Sequence, residues 1–127
     1  MKEYTEKHAK AGIDEKLPRI DVFKNYYKKY EVTIEIPEFT SICPKSSLPD
    51  FGKITIRYRP NRNCLELKSL KMYMLAYRNI GIFNENAVNK ILEDIVEASK
   101  PVWAEVTGIF NPRGGMDIII SARYPRR

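Results

Sequence analysis

Two stretches of the chain alternate between apolar and polar residues. In 30–36, Val32, Ile34 and Ile36 fall on one side and Glu31, Thr33 and Glu35 on the other. In 53–59, Ile54, Ile56 and Tyr58 alternate with Lys53, Thr55, Arg57 and Arg59. A period of two puts one face of a strand on a core and the other in water, so both stretches are predicted as half-buried strands. Between them lies 37–51, with three prolines, predicted as a long connection of the kind that carries function in compact domains. Pro60-Asn-Arg-Asn63 reads as a turn.

The period then changes. Over 65–79, after a short extended start, Leu67, Leu70, Met74 and Tyr77 recur at helical spacing, with Lys68, Lys71 and Arg78 on another face. A second helix is predicted from Asn84, a plausible N-cap with Phe83 and Val88 at staple positions. Val88, Ile91, Leu92, Ile95 and Val96 form its core stripe, and Lys100-Pro101 ends it. Two more strands, 102–110 and 116–123, flank the Pro/Gly-rich turn 111–115. Before residue 30 no clean period is visible. The expected organisation is a charged leader over 1–29, with a short ordered piece around 20–27, and a single domain over 30–127. The order ββααββ is simplest as an α+β fold, an antiparallel sheet with two helices on one face.

Composition narrows the chemistry. A chain of 127 residues with 43% hydrophobic and 30% charged residues reads as one soluble globular domain. No apolar run approaches the roughly 20 residues of a membrane span, and the charged N-terminus has no signal-peptide h-region. Two cysteines are no disulfide framework, so a cytoplasmic location with both reduced is expected. The single histidine, His8, leaves almost no room for a His-based metal site or a Ser/His/Asp triad, and no metal is expected. A net charge of +6 suits phosphate-bearing ligands or nucleic acid, or simply a soluble basic protein.

Two segments carry chemistry. Cys43-Pro-Lys-Ser-Ser-Leu-Pro-Asp50 puts a thiol and a carboxyl group into one connection. A thiolate can add to an electrophilic carbon, and a carboxylic acid can protonate the product. Asp50 would need shielding from water to hold its proton. Lys45 is a local source of positive potential for the thiol. Taken alone, Cys43 reads as a small buried hydrophobe and Asp50 as a solvated turn residue; their spacing in one connection is what points to chemistry. The second segment is Glu66-Leu-Lys-Ser-Leu-Lys-Met-Tyr73, in which Lys68 and Lys71, three apart on a helix, can meet a phosphate-rich ligand. No Gly-x-Gly-x-x-Gly is present, so no Rossmann site is expected.

Together these segments resemble the queuosine-pathway nitrile reductases, the QueF family, over about 39–121. The resemblance implies the tunnelling fold, whose members close into oligomeric rings around a strand barrel and bind ligands between subunits. It implies NADPH-dependent reduction of 7-cyano-7-deazaguanine to the aminomethyl compound. Cys43 would then be the nucleophile that forms a covalent thioimide, and Asp50 the proton donor. By the same resemblance Leu65, Glu66 and Leu67 line the heterocycle's pocket, Glu85 anchors the ring, and Lys68, Lys71 and Arg113 contact the cofactor. Many relatives have histidine just before that glutamate. This chain has Asn84, which can hydrogen-bond substrate but cannot carry a proton.

Other assignments are bland. Cys64 reads as structural, and Trp103 and most of the eight tyrosines as core or interface. A rival enzyme of the same fold is the archaeosine-type amidinotransferase, which acts on a nitrile in tRNA without NADPH; the Glu66–Tyr73 segment favours the reductase. A non-catalytic nucleic-acid-binding module would need basic residues interleaved with aromatics. Lys24-Asn-Tyr-Tyr-Lys-Lys29 is the one such stretch, and it is short, so nucleic acid is not the expected partner. An inactive pterin binder of this fold is disfavoured by the Cys43–Asp50 pair.

Overall fold

The structure, a computed structural model, describes residues 5–126, with Arg113 in its backbone only. A short helix α1 (Glu6–Lys10) opens it, capped by Thr5. Strand β1 (Val22–Lys24) pairs with β4 (Asn63–Leu65) as a small separate sheet. The main sheet is antiparallel, in the order β2 (Val32–Ile42), β3 (Pro49–Arg59), β5 (Trp103–Arg113), β6 (Met116–Tyr124). Helix α2 (Leu67–Ala76), a 3-10 turn (Tyr77–Asn79) and helix α3 (Asn84–Ser99) complete the described chain.

The predicted alternation places the core. Ile54, Ile56, Tyr58, Ala104 and Val106 are buried on one sheet face, while Arg57 and Ile109 on the other are exposed. The buried face meets Val88, Ile91, Leu92 and Ile95 of α3. Gly108 permits the closest approach, since a Cβ there would lie 2.8 Å from Val88 Cγ2. On the open face, Trp103 is flanked by the guanidinium groups of Arg57 and Arg123, 5.6 and 5.4 Å from its ring.

Four expectations are corrected. The long connection over 37–51 is mostly strand, because β2 runs to Ile42 and β3 starts at Pro49. Proline is tolerated since β2 is an edge strand and a register shift between Ile36 and Phe39 absorbs Pro37; Pro49 sits at a strand start. The turn over 111–115 shrinks to Gly114-Gly115, both at positive φ (60° and 81°), as a two-residue hairpin favours.

On α2 the buried residues are Leu70, Tyr73 and Met74, followed by Tyr77 in the 3-10 turn, whereas Leu67 is 58% exposed. Tyr73 takes the core position because its hydroxyl finds partners there. It donates to Asp94 Oδ2 at 2.5 Å and sits 2.8 Å from the Tyr77 hydroxyl. Burial and the Asp94 charge raise the pKa of both phenols far above the ordinary value. Asn84, finally, is the first residue of α3 rather than its cap; Phe83 precedes the helix without a side-chain cap bond.

Residues 5–30 are more engaged than a periodicity reading suggests. The Asn86 amide donates to the Ala9 carbonyl at 2.7 Å, and Lys90 Nζ to the Ile13 carbonyl at 2.8 Å. Ile20 joins the main core. Among the described residues no helix is long and apolar enough to cross a membrane.

Candidate functional site

Pairing of β2 with β3 builds the first half of the site. Ser41 faces Asp50 and Ile42 faces Pro49, so the carboxyl group lies one step inside the hairpin and Cys43 just past its end. The tip is closed by two backbone bonds: the Cys43 N–H donates to the Leu48 carbonyl and the Ser47 N–H to the Cys43 carbonyl, both at 2.9 Å. Ser47 takes a positive φ of 61° to allow it. Asp50 is only 8% exposed.

Partial burial pushes the Cys43 thiol up, but donors outweigh it. The Ser46 hydroxyl and the N–H groups of Ser46 and Lys45 stabilise the thiolate, against a smaller opposing effect of the Asp50 charge, and the net pKa lies below the ordinary thiol value. Ser46 was not singled out in the sequence; three residues past a cysteine, it looks like any turn serine. Ser41 was also missed. Its hydroxyl is fully buried beside Asp50 and has no partner among the described residues.

Helix α3 is brought to this tip by a parallel bridge. The Ile42 N–H donates to the Ile80 carbonyl at 3.0 Å, and the Ile82 N–H to the Ile42 carbonyl at 2.9 Å. Asn84 and Glu85 follow directly. Asn84 Oδ1 is buried without a partner among the described residues, and Glu85 is exposed in the first helical turn. An orphaned amide oxygen and a carboxylate at a positive helix end can read the N–H edge of a heterocycle.

The remaining predicted residues are elsewhere. Glu66 caps α2, accepting from the N–H groups of Ser69 at 2.8 Å and Lys68 at 2.7 Å. Those bonds hold its carboxyl below the ordinary range. Leu65 is buried; its N–H donates to the Tyr58 hydroxyl at 2.8 Å. Since the C-terminal side of α2 leads to the Ile80–Ile42 contact, Glu66 and Lys68 stand at the far end of a helix about 15 Å long. One chain therefore sets Asp50 beside Cys43 and the start of α3 beside the end of β2, and leaves the 65–68 group apart. The side chain of Arg113 lies outside the described residues.

A cleft of about 390 Å³ runs between α2 and the edge strand β2. Leu67, Leu70 and Met74 contribute its apolar wall, with Lys71 and Arg78 lining it. Opposite, the Glu35 carboxylate is held by Lys53 at 2.5 Å. The two cations suit a phosphate-bearing ligand with a flat apolar part. The sequence puts Arg78 on the polar helix face of Lys68 and Lys71, without pointing to a cleft. Lys68 does not line this cleft.

The QueF-like protein family model matches residues 49–127, a span that starts after Cys43 and includes Asp50. The "NADPH-dependent 7-cyano-7-deazaguanine reductase" of Elusimicrobium minutum (strain Pei191) is 58% identical over 125 residues, 98% of this chain and 95% of that one. Its namesake from Chlorobaculum tepidum is 51% identical over 109 residues, covering 84% and 93%. Among solved structures, the crystal structure of the archaeosine synthase QueF-Like in the apo form superposes with a TM-score of 0.71 at 23% identity. That match covers 76% of this chain and 95% of the other, a likeness of fold.

Proposed function

The chain belongs to the QueF-like family, and on that premise we propose that it reduces the nitrile of 7-cyano-7-deazaguanine to an aminomethyl group at the expense of NADPH. The observation that carries the reading is the hairpin tip: a cysteine whose pKa is lowered by hydroxyl and amide donors, with a buried carboxyl group next to it.

Cys43 thiolate adds to the nitrile carbon. One C–N π pair moves to nitrogen, which takes a proton from Asp50, and a covalent thioimide results. Asp50 is buried beside the thiol. NADPH, when bound, would supply hydride, one from each of two molecules per nitrile. As the carbon is reduced, Cys43 departs as thiolate, a state its donors stabilise, and further protons reach nitrogen through Asp50. Lys71 and Arg78 would hold the cofactor's phosphates, with Lys68 and Arg113 as further cations in the family pattern. Asn84 and Glu85 would orient the heterocycle.

A complete site on this reading takes two chains, because the 65–68 group is a helix length from Cys43. Strands β2 and β6 are the two edges of the sheet, and pairing β6 of one copy with β2 of the next would close a ring and cover both. A cytosolic setting keeps both free thiols reduced.

Intact-protein mass spectrometry with 7-cyano-7-deazaguanine tests this, with Cys43→Ala as control. An adduct on Cys43 that NADPH discharges to the amine is the expected result. An adduct that persists with NADPH and is released by ammonia would replace the reductase with amidinotransferase chemistry; no adduct would overturn both. For the shared site, mixing Cys43→Ala with Lys71→Ala subunits at NADPH well below the raised KM of the latter should give more activity than either variant has alone. Full activity in a monomer would refute the sharing.

A further inference from the structure

The stretch 24–29 is short as a sequence, but the fold enlarges it. A groove of about 770 Å³ forms where 24–29 meets the end of β3 and the turn before β4. It is lined by five cations, Lys24, Lys28, Lys29, Arg59 and Arg62, and by no carboxylate. Elsewhere Lys10, Arg19, Lys53, Arg57, Lys90 and Arg123 are ion-paired. The five groove cations have no carboxylate partner among the described residues. A like-charged cluster of this kind repels itself unless an anion joins it.

The groove also displays two aromatics. Tyr26 and Tyr27 are each 77% exposed. Lys24 Nζ lies 5.2 Å from the Tyr26 ring centre. The segment is built, not loose. Asn25 Nδ2 donates to the carbonyls of Tyr27 at 2.7 Å and Asn61 at 2.8 Å, and its N–H donates to the Arg62 carbonyl at 2.8 Å. The Tyr30 hydroxyl closes on Asn25 Oδ1 at 2.5 Å. Two rings are thus held out into water beside five cations, at the end of β3 about 30 Å from the Cys43 tip.

We infer that this groove binds single-stranded nucleic acid, with the cations on phosphates and the tyrosines as stacking platforms for bases. Bases present flat faces to rings whatever the sequence, and backbone charge meets the cations. A bilayer surface would ask for a flat basic face with inserted apolar side chains, whereas this surface is concave and of ligand size. The inference is independent of the reductase reading, because it shares no residue with that site.

The test is fluorescence anisotropy with a labelled single-stranded oligoadenylate of about 12 nucleotides. Neutralising three to five phosphates should weaken binding about 20- to 130-fold between about 50 and 200 mM salt. Tyr26→Ala/Tyr27→Ala should weaken it by about 5- to 150-fold per stacked base, and Tyr26→Phe/Tyr27→Phe should restore it. Lys28→Ala/Lys29→Ala should weaken it and flatten the salt dependence. No binding by the wild-type chain overturns the inference. So does unchanged affinity in the Tyr→Ala variant, equal competition by heparin, or binding to phosphatidylserine vesicles in place of the oligonucleotide. Circular dichroism melts of each variant separate lost binding from lost folding.

Discussion

Replacing Tyr73 by Phe removes one oxygen from a chain of three. The Tyr73 hydroxyl donates to Asp94 Oδ2, so the proton between the two tyrosines comes from Tyr77. Deleting the oxygen loses a hydrogen bond to a charged group, worth about 1.5–3 kcal/mol. It also strands the Tyr77 hydroxyl, whose residue is fully buried, at about 1–3 kcal/mol. The Asp94 side chain is 35% exposed and rehydrates, so the first figure belongs at its lower end. A net loss of about 2.5–4.5 kcal/mol is expected, out of a typical total of about 5–15. At roughly 3–5 °C per kcal/mol for a chain of this length, the thermal midpoint should fall by about 8–22 °C. Calorimetry or urea titration followed by circular dichroism measures it. Tyr77→Phe should cost less, about 1 kcal/mol, because it leaves the Tyr73–Asp94 bond and strands no donor. The double variant should cost less than the two single ones summed. If Tyr77→Phe proves the costlier, the proton runs the other way and the reasoning fails. A Tyr73→Phe midpoint unmoved within about 0.5 kcal/mol would mean that the chain of hydroxyls contributes nothing.

Other outcomes follow from the site. Iodoacetamide alkylation of Cys43 should become half-maximal below the ordinary thiol pKa, and Ser46→Ala should move that midpoint up; an unmoved midpoint removes Ser46 from the thiolate's support. Glu66→Gln should destabilise the fold at neutral pH. The folded-state pKa of Glu66 is depressed, so its contribution is present above the unfolded value and lost as pH falls through the folded one, and the wild-type and variant melting curves should converge in acid. Lys71→Ala and Arg78→Ala should each raise the KM for NADPH about tenfold with kcat nearly kept, as loss of an exposed phosphate contact does; an unchanged KM would take the cofactor out of that cleft.

Unbroken periods were the legible part of the fold. Strand centres at 32–36 and 53–59 and the α3 stripe could be read because each alternation repeats at least twice on one face. Strand ends could not, since Pro37 and Pro49 break a local pattern that an edge position and a strand start tolerate. Leu67 and Tyr73 exchanged places because hydropathy ranks leucine above tyrosine, while the Asp94 acceptor lies 21 residues further on. Cys43 and Asp50 were legible as a spacing, but their juxtaposition depends on hairpin register, and Lys71 and Arg78, read on one helix face, line a cleft only because α2 and the turn after it lie along β2. The 24–29 stretch was too short to weigh until Arg59 and Arg62 arrived from across the fold.

The bridge between Ile42 and Gly81 has a mechanical consequence. It couples the end of β2, next to Cys43, to the segment from which α3 starts, through two backbone hydrogen bonds of 3.0 and 2.9 Å. Fluctuations of the hairpin tip are then shared by the helix end, so the gap between these two walls stays narrower in its distribution than the excursions of either one. The amide protons of Ile42 and Ile82 are native gauges of that gap. Their exchange with solvent requires the bridge to open, and its opening free energy sets how often the two halves of the site lose their mutual alignment.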